Sequence, residues 1–406
     1  MVEKSTVRVL VLDDEHFMLK LLARMLSNLG ITQVTTCDRG RSALASFDSP
    51  NSPPELILLD LNMPEMDGVE FVRHLVERSY TGSLVLISGE DERMLQVAAK
   101  LVQAHKISVL GHLSKPIKPE ELSALMERWA PPSLDGPRAT KKVYGTEEVR
   151  AAINNGALVN YYQPKVVVAT GEVVGVETLV RWHHLYDGIV FPEQFIGVAE
   201  ASGLIDDLTR VVLSNALTQI KAWKEAGLML RVAVNVSMDN LMSLNFADFV
   251  AAQAAAAGVA PQDLMLEVTE SRLMQDARAP LETLTRLRLK RFRLSIDDFG
   301  TGHSSLVQLR DIPFDELKID QGFVHRAWAD GTVRAMYDAS LGLAKQLGMD
   351  VVAEGVEDRN DWDFVRKTGC GLAQGYFVAK PMPAADLSGW IDSWQKRASF
   401  RFASQG

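Results

Sequence analysis

Through the second two thirds of the chain, β-branched apolar runs end one after another in residues that could hold a cation. Glu177 sits in GVETLVRW, and Asn235 ends VAVN. Glu267 and Glu270 lie in LMLEVTE, and Asp297 and Asp298 end LSIDD. Lys318 and Asp320 lie in ELKID, Glu354 ends VVAE, and Gln374 sits in AQGY. If those runs are strands of one barrel, their C-terminal ends converge, and one mouth holds about seven carboxylates, an amide and a lysine. Such a cluster repels itself and raises some of its own pKa values unless positive charge compensates it. Oxygen ligands without histidine or cysteine favour Mg²⁺ or Mn²⁺ over zinc. This many acids points to two ions, and the adjacent pair Asp297–Asp298 suits a shared position. Two ions about 3.5–4 Å apart are the usual apparatus for in-line attack on a phosphodiester. Taken alone, each residue is more often a turn or cap residue. Its recurrence on run after run overrides that reading.

A second set lies near the N-terminus. Asp13 and Asp14 follow one β-branched run, Asp60 ends another, Ser88 ends a third, and Lys115 follows the last in SKP. Clustered carboxylates would bind one hard cation such as Mg²⁺. A lysine and a hydroxyl beside them could hold a phosphoryl group, and Asp60, followed by LNMPEMDG, would be its nucleophile, forming an aspartyl phosphate.

The elements that must position these residues alternate in type. The N-terminal part reads as βα repetition: VRVLVLD, the helical HFMLKLLARMLSNLG ending on Gly30, TQVTTC, ELILLDL, VEFVRHLVERS, SLVLISG, a longer helix and a strand near Val109–Leu113. This predicts an α/β, doubly wound parallel sheet with its working residues beyond the strand C-termini. Ala130–Gly145, APPSLDGPRATKKVYG, has linker composition. After it, strands are expected near Asn160–Val168, Val173–Trp182, Arg231–Val236, Leu264–Thr269, Arg293–Asp298, Glu316–Asp320, Asp350–Glu354 and Gly371–Val378. The first two are separated only by Ala169–Glu172, which suits a hairpin and therefore one antiparallel strand. The expectation is a (β/α)8 TIM-like barrel. The domains read as 1–130, a linker 131–145, a catalytic domain 146–397 and a tail 398–406.

Composition bounds the function. The 406 residues are 47% hydrophobic and 23% charged, which excludes a disordered or fibrous chain. No apolar run is long enough for a membrane span, and MVEKSTVRVL lacks the layout of a signal peptide, so a cytoplasmic protein is expected. Cys37 and Cys370 cannot form a disulfide framework or a cysteine zinc site. A net charge of −9, from 43 basic and 52 acidic residues, argues against a nucleic-acid polymer as partner. The basic stretch RLRLKRFRL at Arg286–Leu294 reads as a solvated helix end running into a strand. His183 and His184 are not needed for a metal site that oxygen ligands explain.

The N-terminal set, over residues 5 to about 130, resembles the receiver domain of two-component response regulators. The resemblance implies that Asp60 accepts a phosphoryl group from a sensor histidine kinase or phosphotransfer protein, that Asp13 and Asp14 help to hold one Mg²⁺ with Asp60, and that Ser88 and Lys115 respond to the phosphoryl state. His112 stands where the family usually has an aromatic residue, and the Ser88–Lys115 segment is longer than common, which implies an extended fourth helix.

The motifs GVETLVRW, VAVNVS, LEVTE, IDDFGTGHSSL, LKID, VVAEGVE and AQGYFVAKPM, in that order over about Val143–Gln395, resemble the EAL-domain family of cyclic-di-GMP phosphodiesterases. That resemblance implies hydrolysis of cyclic di-GMP to linear pGpG with two Mg²⁺ or Mn²⁺ ions. Glu177, Asn235, Glu267 and Asp297 would hold the first ion. Asp297 would be shared with a second, to which Asp298, Glu354 and Asp320 contribute. Lys318 would orient the attacking water or assist its deprotonation. Gln163, Arg181 and Gln374 would contact the substrate, while Glu270 and Glu357 would support the site. The family pattern also implies a homo-oligomer. Three positions depart from it: Thr178 replaces Ala in the naming triplet, Leu185 a proline and His303 a tyrosine. An alternative reading is a weakly catalytic cyclic-di-GMP-binding effector or scaffold.

Overall fold

The computed structural model describes residues 7–45, 47, 53–78, 80–89, 95, 97–99, 101–102, 107–129, 142, 144–269, 278–300, 312 and 314–402. The chain divides into two compact units, Met1–Thr140 and Lys141–Gly406.

In the first unit, five short strands form a wholly parallel sheet: β1 (Arg8–Leu12), β2 (Gln33–Cys37), β3 (Leu56–Asp60), β4 (Ser83–Ser88) and β5 (Ser108–Ser114), in the order β2-β1-β3-β4-β5. The inner strands are apolar on both faces because helices cover both. Leu10, Leu12, Ile57, Leu59, Leu84 and Leu86 enter one core, and Val9, Val11, Leu56, Leu58, Val85 and Ile87 enter the other. β2 lies at an edge and is largely exposed. The expected fourth helix lies mostly outside the described residues, although positions 95, 97–99 and 101–102 are helical. β5 carries a bulge, since Leu84 and Val85 face Val109 and Gly111, and His112 comes to lie opposite Leu86, half buried.

The second unit is a closed barrel of eight strands among the described residues. They are β6 (Leu158–Val167), β7 (Val173–His184), β9 (Arg231–Asn235), β10 (Leu264–Thr269), β11 (Arg293–Phe299), β12 (Glu316–Ile319), β13 (Asp350–Ala353) and β14 (Leu372–Ala373), with β8 (Gly188–Val190) extending the β7 edge as a hairpin and β15 (Met382–Pro383) pairing with β6. Seven of them run parallel. β6 is antiparallel to both neighbours, β7 and β14, and so closes the ring. The turn after β6 sets this direction, with Gly171 at a φ of 74°. The last expected strand, Gly371–Val378, is only two residues long, because Gly375 turns the chain where Gln374 leaves the sheet.

Of the expected linker, Lys142, Tyr144 and Gly145 are described, and they are anchored on the barrel. Lys142 Nζ lies 2.8 Å from Asp187 Oδ2, and Tyr144 packs on Trp182 at 4.5 Å between ring centres. The basic stretch at Arg286–Leu294 pairs with acids: Arg288 Nη1 lies 2.6 Å from Asp315 Oδ2, and Lys290 Nζ lies 2.9 Å from Asp248 Oδ1. Among the described residues no helix is long and apolar enough to cross a membrane.

Candidate functional site

Lys318 is the centre of the barrel mouth. It sits in β12, 1% exposed, and its Nζ lies 2.7 Å from Glu354 Oε1, 3.1 Å from Glu267 Oε2, 3.1 Å from Asp297 Oδ1 and 3.3 Å from Glu177 Oε2. Four strands other than its own or their immediate ends supply those carboxylates. Burial alone would lower the Lys318 pKa, but Asp297, Glu177, Glu267 and Glu354 outweigh it and hold it well above the ordinary lysine value.

One ammonium does not satisfy four carboxylates. Burial pushes Glu267 up to about 7 despite Lys165 and Lys318. Burial, with Asp297 and Asp320 nearby, pushes Asp298 up to about 6. Burial also holds Glu354 well above the carboxylate range. Glu177 goes the other way. Lys318 and Lys165 overcome its burial, Asn235 and Gln374 donate to it, and it is held down at about 2. The protein thus supplies too little positive charge at the mouth to keep all of these carboxyls ionised.

Two acid groups converge among the described residues. Oxygens of Glu177, Glu267 and Asp297 lie within 4.8 Å of one another, as do those of Asp297, Asp298 and Glu354, so Asp297 belongs to both. Neither group contains histidine or cysteine, and the uncompensated charge calls for cations. The donor set thus fits hard divalent ions of the Mg²⁺ and Mn²⁺ type. Asn235 donates through Nδ2 to Glu177 Oε1 at 3.0 Å, which directs its amide at the first group. Asp320 caps the following short helix, its Oδ1 accepting from Gly322 N at 2.8 Å.

Above the acids lies a cleft of about 280 Å³, lined in part by Gln163, Asp298, Asp320, Glu354, Glu357 and Gln374. Gln374 Nε2 donates to Glu177 Oε2 at 2.6 Å and to Gln163 Oε1 at 2.9 Å, while Gln163 Nε2 donates to Ala379 O at 3.0 Å. This chain fixes both amides, and Gln374 Oε1 is left buried with no partner among the described residues. Arg181 is not among the lining residues. It is buried against the Phe191 ring at 4.9 Å, and its Nη1 donates to Val180 O. Thr178 alternates to the opposite face of β7 from Glu177 and Leu179, which both line the cleft, so its departure from alanine does not reach the mouth. Leu185 is exposed at the tip of the β7–β8 hairpin. Glu270 and His303 lie outside the described residues.

Sequence reasoning missed Lys165 and Glu316. Lys165 is 4% exposed, and its Nζ lies 2.6 Å from Glu267 Oε1 and 2.8 Å from Glu316 Oε1. The available signal was alternation, since Lys165 stands two residues from Gln163 in the same strand and must face the same way.

In the first unit the singled-out residues meet at the C-terminal ends of β1, β3, β4 and β5, while β2 contributes none. Lys115 Nζ lies 2.7 Å from Asp60 Oδ2, 3.0 Å from Asp13 Oδ2 and 3.4 Å from Glu15 Oε1. Oxygens of Asp13, Asp14 and Asp60 lie within 4.8 Å of one another. Asp13 and Asp60 are buried and Asp14 is exposed, so the group opens to solvent at Asp14. Burial raises the Asp13 pKa. Ser88 is buried at the end of the neighbouring strand. Gly68 starts the next helix where a Cβ would come within 2.8 Å of Asp60 O, so the glycine lets that helix pack against the Asp60 loop.

A parallel five-stranded sheet with an acid-and-lysine crevice, joined to an acid-mouthed barrel with one reversed strand, defines a two-domain signalling protein. The receiver-domain family model, "Response regulator receiver domain", matches residues 9–127, and the "EAL domain" model matches residues 146–381. The chain belongs to the EAL-domain family and is a response regulator by its N-terminal domain. It is 32% identical to the cyclic di-GMP phosphodiesterase RocR of Pseudomonas aeruginosa over 93% of this chain and 97% of that one. It is 40% identical to the cyclic di-GMP phosphodiesterase NbdA of the same organism, over 64% of this chain but only 33% of NbdA. Among solved structures, the MucR phosphodiesterase in complex with c-di-GMP is 39% identical, with a TM-score of 0.57 over 59% of this chain and 98% of that one.

Proposed function

We propose that the barrel hydrolyses one phosphodiester bond of cyclic di-GMP to give linear pGpG, and that phosphorylation of Asp60 modulates this reaction. The observation that carries the reading is Lys318 held among Glu177, Glu267, Asp297 and Glu354 at the base of the cleft. The named activity of RocR, a relative along almost its whole length, supports it.

Glu177, Asn235, Glu267 and Asp297 would hold one divalent ion, and Asp297, Asp298 and Glu354, with Asp320 nearby, a second. Bound there, Mg²⁺ or Mn²⁺ would polarise the phosphodiester and make water a stronger nucleophile at neutral pH. The chain's own residues do the rest. Lys318, at 2.7–3.3 Å from four carboxylates, would orient the attacking water or assist its deprotonation. Gln374 is fixed by Glu177 and Gln163, and its unpaired Oε1 is free to accept an N–H of the substrate. Arg181, its Nη1 donating to Val180 O and its guanidinium beside the Phe191 ring, would contact a phosphate of the substrate. Glu357 supports the loop that carries Glu354.

In the first unit, an Asp60 carboxylate oxygen would attack the phosphorus of a phosphohistidine donor on a sensor kinase or phosphotransfer protein, the P–N bond breaking and the donor's imidazole leaving. Asp13 and Asp14 would hold Mg²⁺ there, and Lys115 would pair with the transferred group. Domain limits of 1–130 and 146–397 and assembly as a homo-oligomer belong to the same reading.

The test is to incubate the pure full chain with cyclic di-GMP and Mg²⁺ or Mn²⁺ and to separate the products by chromatography. The expected result is pGpG, with a rate that changes when acetyl phosphate is added. Binding of cyclic di-GMP without pGpG would replace the enzyme reading by that of an effector.

A further inference from the structure

Below the mouth lies a second ionic layer that the reaction itself does not use. β6 runs opposite to the other strands, so the step from Gln163 to Lys165 descends from the cleft toward the barrel floor. Gln163 pairs with Glu177, and Lys165 pairs with Gly175, one layer lower. There Lys165 Nζ meets Glu267 Oε1 at 2.6 Å and Glu316 Oε1 at 2.8 Å, and Ser295 Oγ donates to the same Glu316 oxygen at 3.0 Å. The side chains of Lys165, Glu267 and Glu316 are all at least nine-tenths buried.

The consequence falls on Glu267. Its two oxygens are held from opposite sides, Oε1 by Lys165 and Oε2 by Lys318 at 3.1 Å. Lys318 is shared among four carboxylates at the open end, where a cation would compete with it. Lys165 has only Glu267 and Glu316 as carboxylate partners within 4.0 Å among the described residues, and it lies away from the cleft. Glu316 shares that ammonium, so Lys165 and Glu316 together add no net charge beside Glu267.

We propose that Lys165 is a positioning residue that decides which cations the barrel accepts: it ties down Oε1 of Glu267 and leaves only Oε2 for an ion at the mouth. A carboxylate limited to one oxygen suits small, six-coordinate Mg²⁺ or Mn²⁺, whereas Ca²⁺ takes more oxygens and often both from one carboxylate. The inference rests on the reading of the mouth as a divalent-metal site.

The experiment titrates the full chain with Mn²⁺, followed by electron paramagnetic resonance, and then competes the bound Mn²⁺ with Ca²⁺. The receiver acids are the same in every variant, so a change in the ratio of affinities reports the barrel. Lys165→Met/Glu316→Leu removes both charges together and fills the space with apolar groups, an exchange buried ion pairs commonly tolerate. It is expected to raise Ca²⁺ affinity relative to Mn²⁺ about tenfold by freeing the second oxygen. Lys165→Arg keeps a charged donor at the position and is expected to retain the wild-type ratio, which a merely structural role does not require. Should the double variant fail to fold, Lys165→Gln/Glu316→Gln carries the same expectation. A folded variant that binds Mn²⁺ with an unchanged ratio overturns the proposal and leaves the proposed function standing. A wild-type chain that binds no Mn²⁺ at the barrel overturns both.

Discussion

Asp298 follows Asp297 directly in β11, yet both offer a carboxylate oxygen within 4.8 Å of one on Glu354. Regular alternation would send two consecutive side chains to opposite faces of the strand. The register against β12 slips between Ile296 and Phe299, and Asp298 takes a φ of 54° in that bulge. The bulge is what turns an adjacent pair into a shared site.

Substitutions at Asp298 should separate backbone from charge. Asn tolerates positive φ, whereas Val does so badly. Asp298→Asn is therefore expected to melt near the wild type while losing Mn²⁺ affinity. Asp298→Val should lose that affinity and also about 1–3 kcal/mol of stability from the strained backbone. Thermal melts and Mn²⁺ titration of both variants check this. Equal melting temperatures would show that the φ of Asp298 carries no constraint.

Removing Lys318 should damage the apoprotein more than the metal-loaded one. Lys318→Met leaves the buried Glu177 and Asp297 and the half-buried Glu354 without that ammonium, a loss of about 3–5 kcal/mol for a broken buried pair. Added Mn²⁺ is expected to restore part of that, because ligands that bind the native state stabilise it. Hydrolysis should fall on the order of 10²-fold or more through loss of the positioned donor. The check is melting with EDTA and with Mn²⁺, beside the product assay.

Gly375 sets the exit of β14, and its φ of 154° goes with close backbone contact. A Cβ there would lie 2.3 Å from Val356 O and 2.4 Å from Val356 N. Gly375→Ala is expected to cost about 2–3 kcal/mol by forcing two backbone segments apart. It should also raise KM for cyclic di-GMP, since Gly375 lines the cleft beside Gln374. Denaturant unfolding and steady-state kinetics measure the two effects separately.

The metal-free barrel should lose stability as pH rises. Glu267, pushed by burial to about 7, and Asp298, pushed by burial to about 6, hold protons in the native state that the unfolded chain releases near pH 4–4.5. Between those limits the native state binds more protons than the unfolded state, so stability falls with increasing pH. In EDTA the melting temperature at pH 5 should exceed that at pH 8. Mn²⁺ should reverse the order, because ions replace the protons only where the carboxyls ionise. A melting temperature independent of pH in EDTA would contradict this account.

Asp60 should be the phosphoryl acceptor. Labelling with acetyl phosphate is expected for the wild type and lost in Asp60→Asn, while Lys115→Ala should still be labelled but lose the change in hydrolysis rate. Phosphate-affinity electrophoresis beside the product assay gives both readouts. Labelling of Asp60→Asn at the wild-type level would place the acceptor elsewhere.

Much of this was legible in the amino-acid sequence. β-branched runs bounded by turn residues located every barrel strand to within a few residues, apart from the short β14, because strand propensity and turn chemistry are local. The same runs placed Asp297, Lys318 and Glu354 at or near strand ends and Glu177 and Glu267 within their strands, and barrel geometry brings those strands together. Oxygen-only chemistry followed from residue types alone.

What the tertiary structure decided depends on register and strand direction, which no local pattern contains. Alternation states that Gln163 and Lys165 share a face, but only the reversal of β6 puts Lys165 below the mouth, and only the pairings across β10, β11 and β12 bring it to Glu267 and Glu316. Arg181, one of the expected substrate contacts, packs 4.9 Å from the Phe191 ring, a neighbour that its place in RWHH does not reveal. The sequence by itself determined which residues could do the chemistry. Closure of the ring determined which charges face each other, because electrostatic partnership depends on distance in space and β6 joins residues far apart along the chain.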